Sequence, residues 1–355
     1  MANQQIFVRG NDGNLWLETG PFGTVPLPSC PQPQLLPPAS CRVQVDGNVS
    51  NIFSQVGENR VWRTPFQALD PNTVFVLGSD NNLWLEYAPF GVSVPPHRNQ
   101  IDGNVDTFQA LDPNTVLVQG TDGNLWLEFA PFGVLIPPLR TQVDGSVNAF
   151  QALDLNTIFV LGNDGNLWLE YGGYGTVPLP QCNPNQTSQC RLQVDGSVIQ
   201  FWAIDSGDVV YTLGSDLNLW YEPAPFGNLN IMESNRTQID ANANDFQPIS
   251  FLNGASAVLV LGHDGNLWLE YAPYKGVANT VQTRKSVDGN VVAFGAIPTA
   301  ASPEDLEIFV IDGNANLWDE HWPFGPNNRT QVDGSVNACQ PLYSQPSLIG
   351  SMVKR

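Results

Sequence analysis

Residues 143–175 read VDGSVNAFQALDLNTIFVLGNDGNLWLEYGGYG, and variants of that phrase fill the rest of the chain. Its centre, Asn-Leu-Trp, returns seven times, ending at Trp16, Trp84, Trp126, Trp168, Trp220, Trp268 and Trp318. Runs of β-branched and aromatic residues alternate in it with Asp, Asn and Gly clusters, which tolerate the backbone angles of tight turns. In the copy that starts at Val105, VDTFQAL, TVLVQ and NLWLEF read as three successive strands. Asp112-Pro113-Asn114 and Thr121-Asp122-Gly123 turn the chain between them. A fourth, looser strand is expected on the approach from Arg140 to Asp144. Self-similarity at roughly 40 to 50 residues, built from short strands and turns, predicts an all-β fold: a seven-bladed β-propeller of four-stranded antiparallel blades.

One blade cannot bury its own apolar faces, so the units must stack. Residues 1–355 are therefore expected to form one domain. The chain begins inside a unit, with Ile6 to Gly10 leading into Asp12-Gly13-Asn14-Leu15-Trp16. It ends with Asn337 to Leu342, the strand that should precede that segment. One blade is thus expected to be shared between the two ends, closing the ring and removing its open edges. Successive Trp residues stand 68, 42, 42, 52, 48 and 50 apart. The long first step holds an insert between Cys30 and Cys41 and a second near Asn51 to Arg63. Leu217 and Ala315 replace the turn Gly, and Ala241 replaces the Gly of VDG. Any sites carried by the units are expected to be most degenerate towards the two ends of the chain.

The balance of 14 basic and 34 acidic residues gives a net charge of −20, which repels phosphate backbones and anionic membrane surfaces. No run of eighteen apolar residues exists to insert into a membrane. The opening residues lack the apolar centre of a secretory leader. The expected location is therefore the cell exterior or cell surface by a leaderless route, with the cytoplasm as the alternative.

Cys30 and Cys41 flank a Pro-rich insert, and Cys182 and Cys190 flank another at the equivalent place three units later. Two independent inserts, each bracketed by its own pair, predict two local disulfides, which favours an oxidising destination. Cys339 stands where other units carry Phe108 or Phe150 and reads as a small buried hydrophobe.

Polar and aromatic positions recur with the Trp. Glu follows two residues later, at Glu18, Glu86, Glu128, Glu170, Glu222, Glu270 and Glu320. An aromatic comes next, at Phe22, Phe90, Phe132, Tyr174, Phe226, Tyr274 and Phe324. Arg42, Arg98, Arg140, Arg191, Arg236, Arg284 and Arg329 each precede by four residues the Asp that starts the next unit. On a strand, residues two apart project from one face about 7 Å apart. An indole wall beside a carboxylate, with an Arg within reach, suits a sugar, whose apolar face stacks while its hydroxyls bond to the charges. The alternative is architectural: the Trp fills the space between blades, and Glu and Arg pair across strands. The recurring Asn and the VDG Asp read mainly as turn and cap residues.

Catalytic signals are sparse. His97, His263 and His321 fall at non-equivalent places in their units, and no serine-nucleophile or His-rich metal signature occurs. Asp-Gly-Asn lacks the alternating ligands and distal Glu of a calcium loop. No metal or cofactor is expected.

VDGNV…FQALD…TVFVLG…DGNLWLE…PFG, repeated seven times with terminal ring closure, resembles the seven-bladed bacterial propeller lectins of the Photorhabdus-lectin type. Similar ring logic occurs in tachylectin and tectonin propellers. The resemblance implies non-catalytic carbohydrate binding, fucose- or mannose-type sugars as ligands, and several weak sites between neighbouring blades. The partners expected are glycans or glycoconjugates on cell surfaces, with no nucleic acid and no membrane insertion, and the chain is expected as a monomer or dimer. Two other functions stay open: a propeller enzyme with one axial pocket, and a protein-interaction scaffold.

Overall fold

The computed structural model describes residues 5–30, 40–50, 65–90, 97–132, 139–182, 188–204, 207–227, 235–251, 256–274, 284–298 and 302–342. The insertion near Asn51 to Arg63 and the interiors of both Cys-bracketed inserts lie outside these residues. Seven four-stranded antiparallel sheets follow one another along the chain, as expected. In blade 3 the strands are Val105–Asp112, Thr115–Gly120, Leu125–Phe129 and Leu139–Asp144. Blades 2 to 7 cover residues 66–102, 105–144, 147–195, 198–240, 243–288 and 291–334.

Blade 1 is the composite. Val336–Leu342 forms its innermost strand and pairs antiparallel with Gln5–Gly10, followed by Leu15–Thr19 and Cys41–Asp46. The two ends of the chain therefore complete one sheet, so that the first blade has four strands like the other six.

Seven apolar clusters hold the blades together, one between each adjacent pair. The cluster between blades 3 and 4, for example, joins Leu117, Leu125 and Leu127 to Val147, Ile158 and Val160. The aromatic after each Glu serves this packing. Phe22, Phe90, Phe132, Tyr174, Phe226, Tyr274 and Phe324 each dock on the cluster that joins their own blade to the preceding one. Phe90 meets Phe7 edge-on at 6.4 Å, and Phe226 meets Phe159 at 6.1 Å. Cys339 faces the seam between blades 7 and 1, where it packs half-buried against the apolar cluster.

The turns keep one conformation even where their sequence drifts. Gly13, Gly123, Gly165 and Gly265 have φ between 75° and 80°, and Leu217 and Ala315 hold φ of 63° and 61° at the same place. A side chain in this left-handed region costs roughly 1–2 kcal/mol, so the surrounding hydrogen bonds impose it. In the Asp122 turn, the Asn124 backbone N–H donates to Asp122 Oδ1 at 3.0 Å and its side-chain amide donates to Asp122 Oδ2 at 2.7 Å. Gln142 Nε2 then donates to Asn124 Oδ1 at 3.1 Å, tying the turn to the outer strand. The recurring Asn is thus a turn staple.

A candidate ligand cleft between blades

The strand Leu125–Phe129 alternates its side chains. Leu125 and Leu127 enter the core shared with blade 4, so Trp126 and Glu128 must face blade 2. On the outer strand, Arg140 stands in register opposite Glu128, and Gln142 opposite Trp126. The same arrangement recurs around the ring, and the structure brings the Trp, Glu and Arg of each unit into one cluster.

Arg42, Arg98, Arg140, Arg191, Arg236, Arg284 and Arg329 lie over the rings of Trp16, Trp84, Trp126, Trp168, Trp220, Trp268 and Trp318, at 3.9 to 4.4 Å from the ring centroid. The stacking is a cation–π contact, worth about 0.5–1 kcal/mol where exposed and more where dry. One face of each indole is therefore already occupied by a guanidinium from its own blade.

The same guanidiniums reach across to the preceding blade. Arg98 stands 4.0 Å from Asp46, Arg140 3.7 Å from Asp102, Arg191 3.7 Å from Asp144, and Arg236 3.9 Å from Asp195. Arg284 approaches Asp240 at 3.6 Å, and Arg329 donates to Asp288 at 2.7 Å. The VDG Asp has two tasks: Asp102 Oδ1 accepts the Gly103 backbone N–H at 2.8 Å, closing its own turn, while Oδ2 faces Arg140.

Glu is the buried member. Glu18, Glu86, Glu128, Glu170 and Glu320 are 0% exposed, and their carboxyl oxygens accept no hydrogen bond from a protein donor. Arg98 Nη1 and Arg140 Nη1 lie 3.8 Å from Glu86 and Glu128, too far for a direct bond. Burial first, and then the Asp of the preceding blade, push the carboxyls of Glu18, Glu86, Glu128 and Glu170 up to about 8. Glu320 is raised to about 7 for the same reasons. One Arg beside two carboxyls explains the direction, since a proton on Glu leaves an Arg⁺–Asp⁻ pair next to a neutral acid.

Two units depart from the pattern. In blade 5, Thr212 donates a hydrogen bond to Glu222 Oε1, from a position where blades 2 and 3 carry Val76 and Val118. In blade 7, Asp319 takes the place of the Leu in LWLE and is 2% exposed. His321 Nε2 lies 3.2 Å from Asp319 Oδ2, and the neighbouring Glu307 carboxyl is raised to about 7 by burial and by Asp319. Among the described residues no group of three or more His, Cys, Asp and Glu side chains has the arrangement to hold a metal ion.

Sequence reasoning passed over the Gln of FQAL. Gln67, Gln109, Gln151, Gln247 and Gln340 each bond, through the side-chain amide, both backbone groups of one residue on the innermost strand of the next blade. Gln109, for instance, donates to Ala152 O at 2.9 Å and accepts from Ala152 N–H at 2.8 Å. The recurrence of Gln within the copies was the available signal.

Both predicted disulfides are present, Cys30–Cys41 and Cys182–Cys190, with Cα atoms 5.0 and 4.8 Å apart. Each fastens its insert beside a cleft Arg. The Arg42 N–H donates to Pro28 O at 2.9 Å, and the Cys30 N–H donates to Arg42 O at 2.9 Å. Arg191 is held likewise between Pro180 and Cys182, at 2.9 and 3.0 Å. Two disulfides are compatible with an extracellular location. Among the described residues no helix is long and apolar enough to cross a membrane.

No family model matches the chain, and no curated protein matches it. Among solved structures, one described as "The de novo evolutionary emergence of a symmetrical protein is shaped by folding constraints" is similar, with a TM-score of 0.33 and 13% identity over 64% of this chain and 98% of its own. The propeller assignment rests on the strand order and the closure of the first blade.

Proposed function

We propose that this protein is a multivalent lectin, without catalytic activity, that recognises fucose- or mannose-type glycans on cell surfaces through clefts between its blades. One observation carries the reading: a half-buried Trp, an Arg and an Asp gather around a buried Glu whose oxygens receive no protein donor, at the blade-to-blade boundary. A buried polar group without a hydrogen-bond partner is costly, and a sugar hydroxyl can both donate to and accept from a neutral carboxylic acid. Trp126 supplies a ring on which the apolar face of a pyranose stacks once the guanidinium is displaced. Individual sites of this kind are weak, and engagement of several on one surface raises apparent affinity by roughly 10² to 10⁴. The two disulfides are in keeping with an extracellular site of action.

A glycan array followed by calorimetric titration with L-fucose and D-mannose tests this. Micromolar-to-millimolar binding of more than one sugar per chain is expected. An absence of binding to every glycan rejects the reading and leaves the Trp, Glu and Arg residues as blade staples.

A further inference from the structure

The clefts are built from the same residue types but are not in the same state, and three differences sort them. The first is the donor supply to Glu. Thr212 satisfies Glu222 in blade 5, whereas Val76 and Val118 leave Glu86 and Glu128 without a protein donor.

The second difference is the hold of the disulfide-bracketed inserts on the Arg. In blades 1 and 4 the disulfide-bracketed inserts bond both backbone groups of Arg42 and Arg191 along the outer edge. Their side chains are 22% and 20% exposed, against 38% for Arg98 and 42% for Arg140. The third is the strength of the Arg–Asp contact. Arg329 makes a 2.7 Å charge-assisted bond to Asp288, while Arg98 and Arg140 stand 4.0 and 3.7 Å from their Asp partners.

A ligand that stacks on the indole must first lift the guanidinium away. That step is cheapest where the Arg is exposed, no disulfide-bracketed insert holds it and its ion pair is loose. It yields most where the carboxyl oxygens of the Glu beneath still lack a hydrogen-bond partner. Among the described residues Arg98 and Arg140 are the most exposed of the cleft Arg side chains, at 38% and 42% against 28% for Arg236 and 32% for Arg284, and Arg284 of blade 6 stands closer to both of its acids, 3.6 Å from Asp240 and 3.5 Å from Glu270. We infer that the working sugar sites are the two consecutive clefts formed by Asp46 with Trp84, Glu86 and Arg98, and by Asp102 with Trp126, Glu128 and Arg140, with Arg98 and Arg140 acting as displaceable lids. This inference rests on the carbohydrate reading, and it places the receptive clefts side by side near the start of the ring, whereas the drift of the sequence points to sites lost at both ends.

The test is sugar stoichiometry, measured by native mass spectrometry and calorimetry with L-fucose and D-mannose. The wild-type chain is expected to bind about two sugars. The double variant Val76→Thr/Val118→Thr gives Glu86 and Glu128 the internal donor that Glu222 already has, and is expected to weaken binding at least about tenfold. Its melting temperature serves as the check that the ring is intact. If the Val→Thr pair unfolds the chain, Trp84→Phe/Trp126→Phe provides the second test, since it removes the indole wall of these two clefts alone and is expected to weaken binding to the same extent. Binding of about seven sugars, or unchanged affinity in a folded double variant, overturns the inference while leaving the lectin reading standing. Failure of the wild-type chain to bind any sugar overturns both.

Discussion

Arg42 of the first blade stands 3.9 Å from Asp333 of the last, so the series of Arg–Asp contacts between neighbouring blades closes on itself. The contact spans the seam where the two ends of the chain meet, and it lies outside the backbone pairing of Val336–Leu342 with Gln5–Gly10. Two independent devices therefore hold the ring shut: a shared sheet on the inside and an ion pair towards the perimeter.

Removing residues 333–355 deletes both devices. It also exposes the inner edge of Gln5–Gly10 and uncovers Ile6 and Val8, each 0% exposed in the closed ring. A fall in melting temperature well above 10 °C is expected, against the few degrees of an ordinary tail truncation. Thermal unfolding of the truncated chain checks it, and an unmoved transition rules out closure as a source of stability.

Stability is expected to fall as pH rises from 5 to 9. The Glu18, Glu86, Glu128, Glu170 and Glu222 carboxyls titrate at about 8 in the folded chain, raised from 4.5. The folded state thus keeps protons that the unfolded state has released. The stability they contribute is fully present below about 4.5 and is lost as pH passes through about 8. Each unit of displacement is worth about 1.4 kcal/mol, so the melting temperature should drop by roughly 5 °C or more. Glu128→Gln, neutral at every pH, should lessen the drop. A flat or rising profile over this range contradicts the burial of neutral Glu.

Leu217→Gly and Ala315→Gly are expected to stabilise the fold. Both residues sit at φ near 60°, where Gly carries no penalty. Relief of roughly 1–2 kcal/mol is partly offset by the greater freedom of Gly in the unfolded chain, leaving a net gain of about 0.5–1 kcal/mol each. Chemical denaturation curves decide the sign.

Loss of the second disulfide through Cys182→Ser/Cys190→Ser is expected to cost about 2–3 kcal/mol, the chain-entropy value for a loop of this length. It should also free the backbone of Arg191 from Pro180 and Cys182. Faster amide hydrogen exchange at Arg191 is the second readout, and unchanged exchange shows that the insert does not anchor that residue.

The fold was legible because its signal is periodic. Alternation of apolar residues specifies strands, Asp-Gly-Asn specifies the turns, and a strand missing at one end of the chain and present at the other specifies closure. Trp126, Glu128 and Arg140 were legible as a group because strand geometry puts i and i+2 on one face. The role of Gln109 was hidden, since its partner Ala152 lies 43 residues away and meets it only through its backbone N–H and C=O. The same holds for Asp102, whose local turn bond was readable while its contact with Arg140 was not.

By itself, then, the sequence determined what local rules govern: the number of blades, their strand order, the turn chemistry and which Cys residues pair. Only the tertiary structure decided what each repeated polar residue faces. It set the Arg on the indole, buried the Glu beside an Asp of another blade, and made clefts of equal residue type unequal through Thr212 and two disulfide-held inserts. The physical reason is that burial and electrostatics act through space: a carboxyl's charge state depends on the neighbours that packing brings to it, and sequence spacing within one repeat does not specify a neighbour from the next.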